Sequence, residues 1–182
     1  MFRKVLIILF TGVSIVVNGQ ETEKKRDTQA SNVVQLSFGG AGVYYSVIYE
    51  RLLFIGPTLS AGVKTGIGTS LSRALSPPEI SIPLGGFLLY GQGTSKLDLG
   101  LSFTGYLMWQ TDYELNTNYM EMQPLIIPSL AYRFQRKEGG LTFRAGLSSI
   151  IHFNTITPVY TPWFDLGVGY AFGKRAHKRQ RN

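Results

Sequence analysis

The side chains of this sequence that could do chemistry are few and widely spaced. His152 is the one histidine inside a predicted element, since His177 stands in a basic C-terminal segment. Ser148 lies on the same predicted strand face, roughly 13 Å away at about 3.3 Å per residue. A nucleophilic serine must lie within hydrogen-bond reach of its base. We therefore predict no catalytic site and no enzymatic activity, and the alternative is a lipid-modifying enzyme in which a neighbouring strand supplies the partner of His152.

Other chemical motifs are absent from the sequence. There is no cysteine, so thiolate metal sites and disulfides are excluded. The stretch "GQGTSK" at 91–96 is not followed by a helical pattern and is typical of a turn rather than a phosphate loop. No histidine or carboxylate pair has metal-ligand spacing. We predict no metal site and no cofactor.

The net charge of +7 comes from the two ends of the chain. Two basic residues fall in the first four positions and five in the last nine, and the remaining chain holds 11 basic against 11 acidic residues. A nucleic-acid-binding domain would carry its basic residues on a folded face. We therefore predict no nucleic-acid partner. The basic C-terminal segment is predicted to be solvated.

Strands must position the few charged residues, because apolar residues alternate with small or polar ones along most of the chain. In "KLDLGLSFTGYLMW", at 96–109, leucine, phenylalanine and tryptophan share one parity, which is the period of a β-strand. The same pattern predicts no helix. It predicts eight strands, at 33–41, 43–53, 57–67, 79–90, 96–109, 124–135, 140–153 and 162–172. Short connections alternate with long ones, at 68–78 and 110–123 among others, as in outer-membrane barrels. The short glycine-rich connection after the first strand is the exception.

The polar parity of these strands is made mainly of glycine, serine, alanine and threonine. A soluble barrel would expose long charged side chains there, whereas small residues suit the interior of a narrow eight-stranded barrel. Glu79 and Lys96 stand at the starts of predicted strands and are counted with the loop edges. Seven charged residues fall within the strands, and all but Arg51 share the parity of the small residues. We predict that these six point into the lumen and form a charge network: Glu50, Lys64, Asp98, Arg133, Arg144 and Asp165. The opposite, apolar face is predicted to contact lipid.

Aromatic residues cluster near the predicted strand ends, where transmembrane barrels carry aromatic girdles. The predicted interface aromatics are Tyr49, Tyr90, Trp109, Tyr132, Phe153, Trp163 and Tyr170. Two prolines, Pro83 and Pro128, fall inside predicted strands, and a closed barrel has no edge strand to accept a missing N–H. We expect the loop-side ends of both strands to be irregular.

The first residues are typical of a secretory signal peptide. Arg3 and Lys4 precede an uncharged apolar run at 5–17, which is too short to span a bilayer as a helix. The predicted organisation is a signal peptide at 1–19, a polar lead-in at 20–31, a barrel at 32–172 and a basic periplasmic tail at 173–182. The expected fold is all-β, an eight-stranded antiparallel up-and-down transmembrane β-barrel preceded by a signal peptide.

Four segments, "GGAGVYYSVIYERLL", "IPLGGFLLYGQGTSKLDLGL", "PSLAYRFQRKEGGLTFRAGL" and "DLGVGYAFGK", together resemble small outer-membrane β-barrel proteins of Bacteroidota-type bacteria. The resemblance implies an outer-membrane location and barrel architecture, and no activity. It also implies that the closing aromatics Tyr170 and Phe172 act as an assembly signal for the barrel assembly machinery. The sequence departs from the family where Lys64 replaces the usual arginine and where ten residues follow Phe172.

We accordingly predict a small outer-membrane barrel with a plugged polar lumen, not a general pore, with a structural role or one mediated by its loops. Its expected partners are outer-membrane lipid, the assembly machinery and an extracellular partner at loop 110–123. The second alternative, beside the lipid-modifying enzyme, is a secreted soluble barrel that binds an apolar ligand and turns its leucines inward.

Overall fold

The computed structural model describes residues 30–70, 79–112, 117–152 and 159–174. The predicted signal peptide and most of the predicted lead-in and tail lie outside these residues. So does Phe153, one of the predicted interface aromatics. Within the described residues no helix is long and apolar enough to cross a membrane.

Eight antiparallel strands form a closed barrel in which each strand pairs with its sequence neighbours and β1 pairs with β8. The predicted eight-stranded up-and-down fold is confirmed. The strands are β1 Ala30–Gly39, β2 Tyr45–Ile55, β3 Leu59–Thr69, β4 Ile80–Tyr90, β5 Ser95–Asp112, β6 Thr117–Gln135, β7 Gly140–His152 and β8 Val159–Lys174. β1 thus begins inside the predicted lead-in, and β8 ends inside the predicted tail.

The alternation of the sequence places apolar side chains outside the barrel and small or charged ones inside it. Along β1 to β4 buried and exposed positions alternate, because successive side chains of a strand point to opposite faces. Most of the large apolar residues are exposed, among them Ile67 at 66% and Leu147 at 71%, while a smaller set that includes Ile48 and Leu89 is buried inside the barrel. A bulge at Leu53 changes the register between β2 and β3 near the short-turn end of the barrel.

The longest hairpin is β5–β6, and the predicted loop at 110–123 is wrong for much of its length. β6 already begins at Thr117, and its residues pair with β5 up to Asp112↔Thr117. Met120 and Met122 share one parity there, and the segment belongs to the ladder despite its polar composition. The hairpin extends beyond the neighbouring strands, because β4 pairs with β5 only as far as Leu107.

The two prolines interrupt the ladder on one side only. Pro83 pairs with Thr104 of β5, whereas pairing with β3 stops at Leu84 and resumes at Ser81. Pro128 likewise pairs with Leu101 of β5, whereas pairing between β6 and β7 is interrupted at this proline. The register is the same on both sides of each gap. The expectation of irregular loop-side ends is therefore wrong for both strands, since pairing with β5 continues regularly to Ile80 in β4 and to Thr117 in β6.

Candidate functional site in the barrel lumen

All six residues of the predicted charge network lie inside the barrel and are almost completely buried, with exposures of 0 to 4%. Arg133 is held by two carboxylates. Its Nη1 and Nη2 donate to Glu50 at 2.5 and 2.9 Å, and its Nη2 lies 2.6 Å from Asp98 Oδ2. The guanidinium also lies over the ring of Phe87, 5.2 Å from the centroid.

Arg144 extends the network to the other side of the lumen. Its Nη2 lies 2.9 Å from Asp165 Oδ2, and its Nε lies 3.4 Å from Asp98 Oδ2. The ion pairs thus run without a break from Glu50 to Asp165. Arg133 and Arg144 are direct partners in the β6–β7 register, and like charges opposite each other destabilise a sheet. The ion pairs offset this repulsion.

Lys64 is the third cation of the predicted network, but it has a different environment. It lies opposite Glu50 in the β2–β3 register and is 2% exposed, and its Nζ has no hydrogen-bond partner among the described residues. The ammonium approaches the backbone of β5 at Gly100, where an added Cβ would lie 2.8 Å from Nζ. The same Cβ would lie 2.4 Å from the Ser129 hydroxyl oxygen, so a side chain at Gly100 would have to displace both the serine and the lysine.

Sequence reasoning missed one luminal cation. Lys96 is 5% exposed and lies opposite Arg133 in the β5–β6 register. Lys96 has the same parity as Asp98, so the alternation of β5 indicates that its side chain points into the lumen. The residue was assigned to a turn edge because the predicted strand started on it, whereas β5 begins at Ser95.

The second element of the lumen is the short connection between β1 and β2, which folds into the barrel. We call residues 39–44 the plug. Its 3-10 turn, Gly40–Gly42, is buried and lies against all eight strands. Val43, at 6% exposure, joins an apolar cluster at the mouth of the barrel whose buried members include Tyr106, Leu125, Ile127 and Ile150. The connection that broke the predicted alternation of loop lengths therefore lies inside the barrel, at the end opposite the short turns.

Three strands hold the plug through its backbone carbonyl groups. Thr104 donates to the carbonyl of Ala41 at 2.8 Å, Ser81 to that of Gly42 at 2.8 Å, and the Trp163 indole to that of Val43 at 2.6 Å. Buried carbonyls need such donors, because an unsatisfied one costs about 1–3 kcal/mol. The plug is therefore a fixed part of the lumen.

The plug also contains unfavourable backbone geometry. Val43 has φ 71° and ψ −64°, and the Tyr44 N–H donates to the Gly42 carbonyl at 2.9 Å. These angles define the rare γ-turn with positive φ, which a β-branched residue adopts at a cost of about 1–3 kcal/mol. Gly40, with φ +60°, packs so close to Asp165 that a Cβ would lie 2.5 Å from its Oδ1. The plug is thus fitted directly onto the charge network.

The predicted interface aromatics divide into two groups. Tyr49, Tyr90, Trp109, Tyr132 and Tyr170 are exposed on the outer face, as is Phe172 of the predicted assembly signal. The prediction for Trp163 is wrong, because it has the parity of Asp165 and its indole bonds to the plug inside the barrel.

His152 is the last residue of β7 and is half-buried. Its strand partners are Leu125 and Val159. The Ser148 hydroxyl donates to the Phe164 carbonyl at 3.5 Å and makes no hydrogen bond with His152. The structure therefore does not bring these two residues together.

The side-chain bond from Thr104 to the plug can be tested by removing a single donor. Thr104→Val keeps the shape of the side chain and leaves the Ala41 carbonyl without this partner. We expect the free energy of unfolding to fall by about 1–3 kcal/mol, measured by urea titration of the refolded barrel.

Thr65→Val is the matched control, because Thr65 is exposed on the outer face. It should change the free energy of unfolding by no more than about 0.5 kcal/mol. Equal effects of the two substitutions would contradict the assigned role of Thr104.

Comparisons with known proteins agree with this architecture. No protein-family model and no curated protein matches the sequence. Among solved structures, the N-terminal β-barrel domain of Pseudomonas aeruginosa OprF superposes with a TM-score of 0.55 at 11% identity, covering 80% of this chain and 99% of that chain. At this identity the likeness shows the fold alone. The chain is therefore similar to that domain in its barrel fold.

Proposed function

We propose that the protein is a small integral β-barrel of the bacterial outer membrane whose lumen is filled, and that its role is structural or exerted through its extracellular rim. One observation carries the proposal: polarity is inverted relative to a soluble protein. Leucine, isoleucine and phenylalanine cover the outer face, while Glu50, Asp98 and Arg133 are at most 1% exposed. Soluble monomers rarely expose apolar patches of such extent, whereas transmembrane barrels have this distribution.

The exposed aromatics support the same placement. Tyr90, Tyr132 and Tyr170, each more than half exposed, lie toward the end of the barrel that carries the short turns, where a membrane interface would fall. Outer-membrane barrels turn their short connections to the periplasm, so the plug would close the extracellular end. The barrel domain of OprF, an outer-membrane protein, adds a fold-level analogy.

The soluble-barrel alternative fits less well. Binding an apolar ligand inside requires an apolar cavity, but the centre of the lumen holds ion pairs and hydroxyl groups. Most of the leucines, which would have to line such a cavity, face outward. No observation favours the enzymatic alternative over the proposed role.

The membrane placement is tested by comparing boiled and unboiled protein on gels. Protein from the outer-membrane fraction should migrate differently before and after boiling, because a closed barrel resists detergent until it is heated. Gly146→Val is the control that should lose the difference, since a Cβ at Gly146 would lie 2.2 Å from the Leu130 carbonyl oxygen. Recovery of the native chain in the soluble fraction without detergent would refute the proposal.

The filled lumen requires its own measurement. Refolded protein in planar lipid bilayers should give no stepwise conductance, because the ion pairs and the plug occupy the space that water would need. Steady ion-conducting steps by the native chain would contradict a filled lumen without contradicting the membrane placement.

A further inference from the structure

Arg51 is an exception on the outer face of the barrel. Among the strand residues whose side chains the structure describes, it is the only charged one that points outward. It is exposed, and its side chain has no ion pair or hydrogen bond within the described part of the chain. A cation on the lipid face costs about 2–4 kcal/mol at the bilayer midplane and about 0–1 kcal/mol near the interfaces. Arg51 therefore needs either an interfacial position or an anionic partner.

A chain of polar groups lies beside Arg51 on the outer surface. Asn32 is the β1 partner of Arg51, and its Oδ1 accepts a hydrogen bond from the Tyr49 hydroxyl at 2.8 Å. The Asn32 amide donates to the Ser31 hydroxyl at 3.3 Å, and Ser31 donates to the Gly173 carbonyl at 3.1 Å. Polar groups thus follow one another from the Tyr49 hydroxyl of β2, through Asn32 and Ser31 of β1, to the Gly173 carbonyl of β8.

The position of this polar chain matches a lipid headgroup. β2 ends at Ile55, so Arg51 lies roughly 9 Å above the short-turn end of the strand, at about 3.3 Å per residue and a tilt of about 45°. Tyr49 and Tyr170, both exposed, are the partners of Val34 in the row of residues next to Arg51, and exposed tyrosines of this kind form the aromatic girdles of transmembrane barrels. The long side chain of Arg51 can place its guanidinium at the membrane surface while its methylene groups remain against the barrel.

We propose that Arg51, together with Asn32 and Tyr49, binds the phosphate of a phospholipid of the periplasmic leaflet on the outside of the barrel. This inference rests on the proposed function, because it needs the barrel to stand in a bilayer. The guanidinium is a planar fork of donors that matches phosphate oxygens, and charge-assisted bonds of this kind are the strong ones. The Asn32 amide and the Tyr49 hydroxyl border the same site.

The site is tested by native mass spectrometry of the refolded full chain in maltoside micelles titrated with phosphatidylglycerol. Arg51→Gln should weaken the tightest binding event about tenfold or more, because it removes the charge-assisted bonds. Arg136→Gln is the matched control, since Arg136 is an exposed arginine in a turn at the same end of the barrel. It should leave that event unchanged.

Two further arms identify the ligand and the geometry. Tyr49→Phe keeps every charge but removes the hydroxyl that holds Asn32, and should weaken binding several-fold. Diacylglycerol, which lacks phosphate, should bind equally to the native chain and to Arg51→Gln, and inorganic phosphate should not displace phosphatidylglycerol. The heat-dependent gel shift is measured on every variant, so a failure to fold is distinguished from a loss of lipid.

Three results would overturn the inference. If Arg51→Gln bound phosphatidylglycerol with the native affinity, Arg51 would not be part of the site. Equal losses of affinity in Arg51→Gln and Arg136→Gln would show unspecific electrostatic attraction. Displacement of the lipid by inorganic phosphate would make the site one for a soluble anion. Each of these can occur in a correctly closed membrane barrel, so none is confused with failure of the proposed function.

Discussion

Arg133→Met is expected to lower the free energy of unfolding of the refolded barrel by about 3–5 kcal/mol, the usual cost of removing one partner of a buried ion pair. Arg133 bonds to Glu50 through both of its terminal nitrogens and also contacts Asp98. Without the guanidinium these two carboxylates remain buried beside Arg144, which already contacts Asp165. Urea titration followed by gel shift measures the change.

Two further variants separate the network from general effects of the substitution. Arg136→Met removes an exposed turn arginine and should stay within about 0.5 kcal/mol of the native chain. Adding Glu50→Gln to Arg133→Met removes one of the stranded charges and should recover part of the loss, because neutral replacements of a buried pair are often tolerated. A loss below about 1 kcal/mol in Arg133→Met would show that these ion pairs do not hold the lumen together.

Replacing residues 39–44 with Asn-Gly is expected to open the half of the lumen opposite the short turns to water. Phe38 and Tyr45 are the last pair of the β1–β2 ladder, so a two-residue turn can join them. The barrel should still close. Burial of Val43 stabilises the barrel by about 1.5–3 kcal/mol, and the strain of its backbone opposes this by about 1–3 kcal/mol. The free energy of unfolding is therefore a poor measure of what the plug does.

Accessibility of Trp163 is the better measure, because its indole bonds to the Val43 carbonyl. The sequence has two tryptophans, so the experiment uses a Trp109→Phe background in which Trp163 is the single emitter. Acrylamide quenching should rise several-fold and the emission should shift to the red when the plug is replaced. The same background with the native plug is the control. Unchanged quenching in a closed barrel would show that residues 39–44 do not shield the lumen.

The side-chain directions of the strands could be predicted because the period of a strand is two. Once Leu97 and Leu99 were placed outside, Asp98 had to lie inside, and the same reasoning placed Arg133 and Arg144 there. The reasoning works in any strand with a continuous register. The prediction misses Lys96, which it counts with a loop edge, and the strand residues at 117–123, because composition says little about where pairing ends.

The plug could not be predicted because a loop's direction depends on the space available inside the barrel. "GGAGV" contains no charged or polar side chain, which suits a buried segment, but glycine-rich turns are also common on surfaces. The parity that Trp163 shares with Asp165 indicates that its side chain points into the barrel. The preference of tryptophan for membrane interfaces outweighed that parity in the prediction.

The pairing of β1 with β8 has a consequence for the order in which the chain folds. Ser31 bonds to Gly173 across 142 residues of sequence, so the last ladder closes only when the whole barrel sequence is present. Until then the first and last strands each carry a row of unpaired backbone groups, which readily join other chains. Folds dominated by such distant pairings form slowly. A chain truncated before β8 should therefore accumulate as an open sheet that aggregates instead of inserting.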